Sequence, residues 1–163
     1  MDARHLQLGS PHGILVLIAL KQAFVGYKTD RASVRIRCGV EMLLDRACPA
    51  GGWNAGNGVV YGVALAPHLD ATAVALLALQ GEPRSNMIVR SLDWLERSAS
   101  TCSAPWSLAW SILGLDAYDR PVEHLVDRLS DLNGPNTCDS ATLATMALAL
   151  DCRVQGNVFK VTT

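Results

Sequence analysis

The chain has 163 residues, half of them hydrophobic and 18% charged, with 14 basic against 15 acidic side chains and a formal net charge of -1. That length supports one domain with one sizeable core, and the even charge balance leaves no basic excess to neutralise nucleic-acid phosphates. The longest apolar run, residues 14–20, stops at Lys21 and is far shorter than the ~20 residues that cross a bilayer. It follows Pro11, His12 and Gly13 rather than a basic segment, so it does not read as a signal peptide, and the expected setting is cytoplasmic. Five cysteines, Cys38, Cys48, Cys102, Cys138 and Cys152, include no CxxC pair, which argues for reduced thiols over a disulfide framework or a zinc ribbon.

In chain order the pattern predicts an apolar helix over residues 12–25 and an amphipathic one over 33–47. The pair then recurs: apolar helices over 69–81, 105–117 and 139–151, amphipathic ones over 84–99 and 121–132. In residues 33–47, Ile36, Val40, Leu43, Leu44 and Ala47 form one face, with Arg35, Arg37, Glu41 and Asp45 opposite. The alternation Val34, Ile36, Cys38, Val40 also suits a strand, but length and the two sister segments favour a helix. Residues 152–163 break the pattern and form an irregular tail on a single domain spanning 1–163.

The apolar segments are repeats of one another. Written in register, residues 11–20 (PHGILVLIAL), 70–79 (DATAVALLAL), 106–115 (WSLAWSILGL) and 141–150 (ATLATMALAL) end alike. Leu79, Leu115 and Leu150 lie 36 and 35 residues apart, the spacing of two-helix repeats. Ala73, Ala109 and Ala144 share one register position; Leu77, Leu113 and Leu148 share another; Ala78, Gly114 and Ala149 share a third. Helices apolar nearly all round are buried on most sides. The expected architecture is all-α, an array of hairpins with inner apolar and outer amphipathic helices.

The first turn between outer and inner helix is unusual, running Cys48-Pro-Ala-Gly-Gly-Trp-Asn-Ala-Gly-Asn-Gly before Pro67-His68-Leu69-Asp70. The GGWN at residues 51–54, the following proline, the Asp-Ala-Thr-Ala helix start and ALLALQG resemble the repeat of the prenyltransferase and squalene/hopene (terpenoid) cyclase superfamily. The match is specific over residues 35–81, weaker over 86–119, and one of pattern over 122–150. The resemblance implies an α/α toroid, here a partial ring, since three hairpins and one lone inner helix fall short of closing one. It further implies handling of an isoprenoid or other apolar substrate, and either self-association or a missing toroid segment.

The family's two catalytic signatures are incomplete in this sequence. Class II cyclases protonate an alkene with a DxDD motif, and the nearest approximation is Asp116-Ala-Tyr-Asp119 after an inner helix. Protein prenyltransferases hold zinc with an Asp and a Cys two residues later, but Asp70 is followed at that spacing by Thr72. Asp70 and His68 remain as candidate catalytic residues, each with a plain alternative: Asp70 as N-cap or first-turn acid, His68 as a turn residue. Trp53 and Tyr61 are the candidate substrate-binding residues, although the expected role of Trp53 is that of a structural plug, with an aromatic wall toward an isoprenoid or cation as the alternative. Trp94, Trp106 and Trp110 read as core.

No metal or cofactor is expected. The weak alternative is Cys48, Cys102 and Cys138, which all fall in outer-to-inner turns at one end of the array. Two functions follow: a prenyltransferase- or cyclase-like protein, or a noncatalytic helical repeat module that binds a lipid or a partner protein. An open array also exposes apolar ends, so association with a second copy or a missing segment is expected.

Overall fold

The computed structural model describes residues 11–23, 30–132 and 139–161. Its helices are α1 (Pro11–Ala23), α2 (Asp30–Asp45), α3 (Leu69–Ala78), α4 (Asn86–Ala99), α5 (Pro105–Asp116), α6 (Glu123–Asp131) and α7 (Ser140–Asp151). The protein is all-α apart from one small antiparallel ribbon, β1 (Val59–Val60) and β2 (Val63–Ala64). Among the described residues no helix is long and apolar enough to cross a membrane.

The four apolar helices pack as a row, α1 on α3, α3 on α5 and α5 on α7. Every residue from Thr72 to Ala78 in α3 and from Leu108 to Leu115 in α5 is buried. Small residues set the spacing of that central pair: a methyl added at Gly114 would sit 3.1 Å from Ala73 Cα and Cβ, so the two backbones nearly touch. Pro105 opens α5 at a position whose amide needs no helical partner.

The amphipathic helices cover the row. α4 lies against α3 and α5 through Ile88, Leu92 and Leu95, and α6 against α5 and α7 through Leu125 and Leu129. Residues 34–40, where strand pairing was the alternative, are helical. α2 packs chiefly on α1, where Gly39 lets the Leu17 side chain approach to 3.1 Å of a would-be Cβ. The helix over 12–25 is therefore not unpaired; the long turn over residues 46–68 separates α2 from α3 and leaves α1 as its neighbour. Leu44, expected on the buried face of α2, is 40% exposed.

The tail is irregular but not idle. Asn157 Nδ2 donates to the Leu113 carbonyl at 2.8 Å and Gln80 Nε2 to that of Phe159 at 2.8 Å. The Val161 amide donates to Gln80 Oε1 at 2.9 Å, and Gln22 Nε2 to the Val158 carbonyl at 2.7 Å. Residues 157–161 thus run across the ends of α5, α3 and α1, held by one bond to a helix carbonyl and by the side chains of Gln80 and Gln22. Asp116 and Asp119, the nearest approximation to a cyclase acid pair, serve this strap: Asp116 Oδ2 accepts from Asn157 at 3.2 Å, and Asp119 pairs with Lys160 at 2.6 Å. The hydrogen bond and charge of Lys160 hold the Asp119 carboxyl below its ordinary pKa.

Candidate functional site

The GGWN turn is built by left-handed glycines and one buried indole. Gly51 and Gly52 have φ of 102° and 81°, and a Cβ at Gly52 would sit 2.7 Å from Pro67 and 2.8 Å from the Thr72 hydroxyl. Trp53 is 3% exposed. Its Nε1 donates to the Leu43 carbonyl at 2.6 Å, its amide to Thr72 Oγ1 at 2.9 Å, and its carbonyl accepts from the His68 amide at 2.8 Å and the Thr72 hydroxyl at 3.1 Å. One residue therefore ties the end of α2 to the start of α3. Thr72, standing where a zinc-binding transferase would carry Cys, is committed to that tie.

Beyond the turn lies a cleft of about 380 Å³. Ile14 and Leu15 of α1 form one wall, Ala71 and Val74 of α3 the back, and Trp106 and Trp110 of α5 the other wall. Asn54, Ala55, His68 and Asp70 supply the remaining lining, so Asp70 and His68 are brought together on it. His68 stands at the N-cap of α3 without a side-chain cap bond, and Asp70 lies in the first turn. Asp70 Oδ2 accepts from Trp106 Nε1 at 3.2 Å. The two indoles meet edge to face, 5.8 Å between centroids at 74°, and Phe159 of the tail backs Trp110 at 5.3 Å. Trp110 is 6% exposed and its Nε1 is buried with no hydrogen-bond partner among the described residues, a cost of about 1–3 kcal/mol.

The other candidates lie elsewhere. Trp53 does not line the cleft. Tyr61 is 102% exposed at the tip of the ribbon, where Tyr61 and Gly62 both have positive φ (49° and 78°) and make the left-handed two-residue turn that such ribbons favour. Cys48 is buried, and burial pushes its thiol pKa up. Cys102 is partly buried with Sγ 3.6 Å from the Ala104 carbonyl. Cys138 lies outside the described residues. Among those described, no three His, Cys, Asp or Glu side chains cluster closely enough to hold a metal ion.

Trp106 and Trp110 belong to the core, as the sequence reading has them, and they line the cleft as well. A signal was present: Asp70 and Trp106 occupy the same register position in adjacent inner repeats, which places them side by side once α3 packs on α5. Trp94 packs against the same core from α4. Comparison of the chain with protein-family models, curated proteins and solved structures finds no match in any of the three.

Proposed function

We propose that this protein is a prenyltransferase- or terpenoid-cyclase-like helical repeat protein that holds an isoprenoid or similar apolar molecule in the cleft between α1, α3 and α5. One observation supports this reading above the rest: a cleft whose walls are Ile14, Leu15, Ala71, Val74, Trp106 and Trp110, with its polar groups confined to His68, Asp70 and Asn54. Its volume falls within the range of roughly 300–1,000 Å³ common for small-molecule sites. The described cysteines, all unpaired, fit a reducing, cytoplasmic setting. Calorimetric titration with farnesol tests the reading. Saturable binding that disappears in Ala71→Phe, a variant that fills the cleft from a partly exposed position, supports it; no binding by folded wild-type protein overturns it.

A second reading, a repeat module that docks on another copy of itself, has its own observation. Within the row, Ala73 of α3 meets Gly114 of α5, two fixed register positions. The equivalents at the two ends, Ala144 of α7 and Ala19 of α1, are both exposed, flanked by exposed Leu143, Leu148, Leu15 and Val16. Seating α7 of one copy on α1 of the next repeats the internal contact. Light scattering at tens of micromolar should show a multimer that Ala144→Lys dissociates; a wild-type monomer removes this reading and leaves the cleft untouched.

A further inference from the structure

The head group that the cleft accepts follows from its charges. Among the described residues Asp70 is the one acidic side chain on the lining, His68 is the only other titratable group, and neither Lys nor Arg lines it. An anionic head, whether carboxylate or phosphate, would sit against the Asp70 carboxylate in apolar surroundings with an imidazole, and no Lys or Arg, to offset it, which is unfavourable. The positive end of the α3 dipole is already met by Asp70 itself in the first turn.

Asp70 is only half engaged. Its Oδ2 accepts from Trp106 Nε1, while Oδ1 has no protein donor among the described residues. The Trp106 ring is held by that bond and by its edge-to-face contact with Trp110, so an indole lies fixed beside a partly buried carboxylate. Indole faces and carboxylates attract the same kind of group, a cation that carries N–H donors. We propose that the cleft selects apolar molecules bearing a protonated amine at one end, the ammonium held at Asp70 and Trp106 and the chain laid along Val74 and Ile14. This rests on the cleft reading above and adds the class of head group.

Three twelve-carbon probes of one chain length separate the two claims: dodecylamine, dodecanol and dodecanoate, each titrated calorimetrically at neutral pH below its micelle concentration. The amine should bind about tenfold more tightly than the alcohol, and dodecanoate more weakly than either. Asp70→Asn, whose amide oxygen can still accept from Trp106, should bring the amine down to the level of the alcohol and leave the alcohol unchanged. Trp106→Leu should lower amine affinity more than alcohol affinity, and it decides the matter if Asp70→Asn shows no cooperative melt. Dodecanol or dodecanoate matching the amine in wild type, or an amine preference that survives in the folded variants, overturns the head-group assignment while the cleft stands. Failure of all three probes overturns both.

Discussion

The centre of the helical row and its α7 end are made of nearly the same sequence and come to different states. At one register position Leu77 and Leu113 are 0% exposed while Leu148 is 37% exposed; at another Ala73 and Ala109 are buried and Ala144 is not. Residue type is constant, so the difference lies in neighbours. α3 packs on α1, α4 and α5, and α5 on α3, α4, α6 and α7, whereas α7 packs chiefly on α5 and α6. The caps differ accordingly. α3 and α5 begin without a side-chain cap, but Asp139 caps α7, its Oδ1 accepting from the Thr142 amide at 2.8 Å. Packing on every side holds the central helices, and the end helix draws on a local bond as well.

The largest expected effect is at the tie between α2 and the centre. Trp53→Ala removes a fully packed indole and the shorter of two hydrogen bonds to the Leu43 carbonyl. It should cost about 3–5 kcal/mol by chemical denaturation. A variant that melts like wild type would show that the turn, rather than the indole, carries the connection.

The comparison itself is tested by one substitution made twice. Leu113→Ala should cost roughly 2–5 kcal/mol, as a cavity in a core that cannot collapse. Leu148→Ala, at the same register position on the exposed flank of α7, should cost under about 1 kcal/mol. Equal losses would mean that the end face is covered in solution, which is the behaviour of a second copy seated there. Gly114→Val comes next, at about 1–3 kcal/mol, because its Cβ would press on the Ala73 backbone.

Much of this was readable beforehand, for a definite reason. The inner helices announce themselves through apolar runs in a fixed 35- or 36-residue register, and the outer ones through one-faced patterns ending in an acid and an arginine. All seven helices are present near the expected positions. The features missed depend on contacts between distant segments. Nothing local to Gln80 or Leu113 says that residues 157–161 will return to bond them, and nothing local to α2 says that α1 will be its neighbour. The site divides the same way. Asp70 and His68 stand out by their place at a helix start; Trp106 and Trp110, four residues apart on an apolar helix, read as core, which they are, and their second place on a cleft shows only once α1 and α3 are set beside them. An aromatic in a glycine-rich loop makes Tyr61 stand out in the sequence, but nothing local says that its positive φ will serve the exposed tip of a ribbon.

The smallest expected effect concerns acid, and it acts on the end of the row alone. The Thr142 amide, and then its hydroxyl, hold the Asp139 carboxyl below its ordinary pKa. A carboxyl whose pKa is lower folded than unfolded stabilises the fold above its unfolded value, about 3.9, and loses that contribution as pH falls through the folded value. Below pH 4, therefore, α7 should begin to lose its cap while α3 and α5, which have no carboxylate cap to lose, keep their protection. Asp139→Asn keeps an acceptor that does not titrate. The melting temperatures of wild type and variant should differ slightly at neutral pH and converge in acid, and hydrogen exchange should place the wild-type loss at Thr142 and Leu143 rather than at Leu76 and Leu77. Acid-induced exchange that starts in α3 would mean that the centre, not the end, is the weaker part of the row.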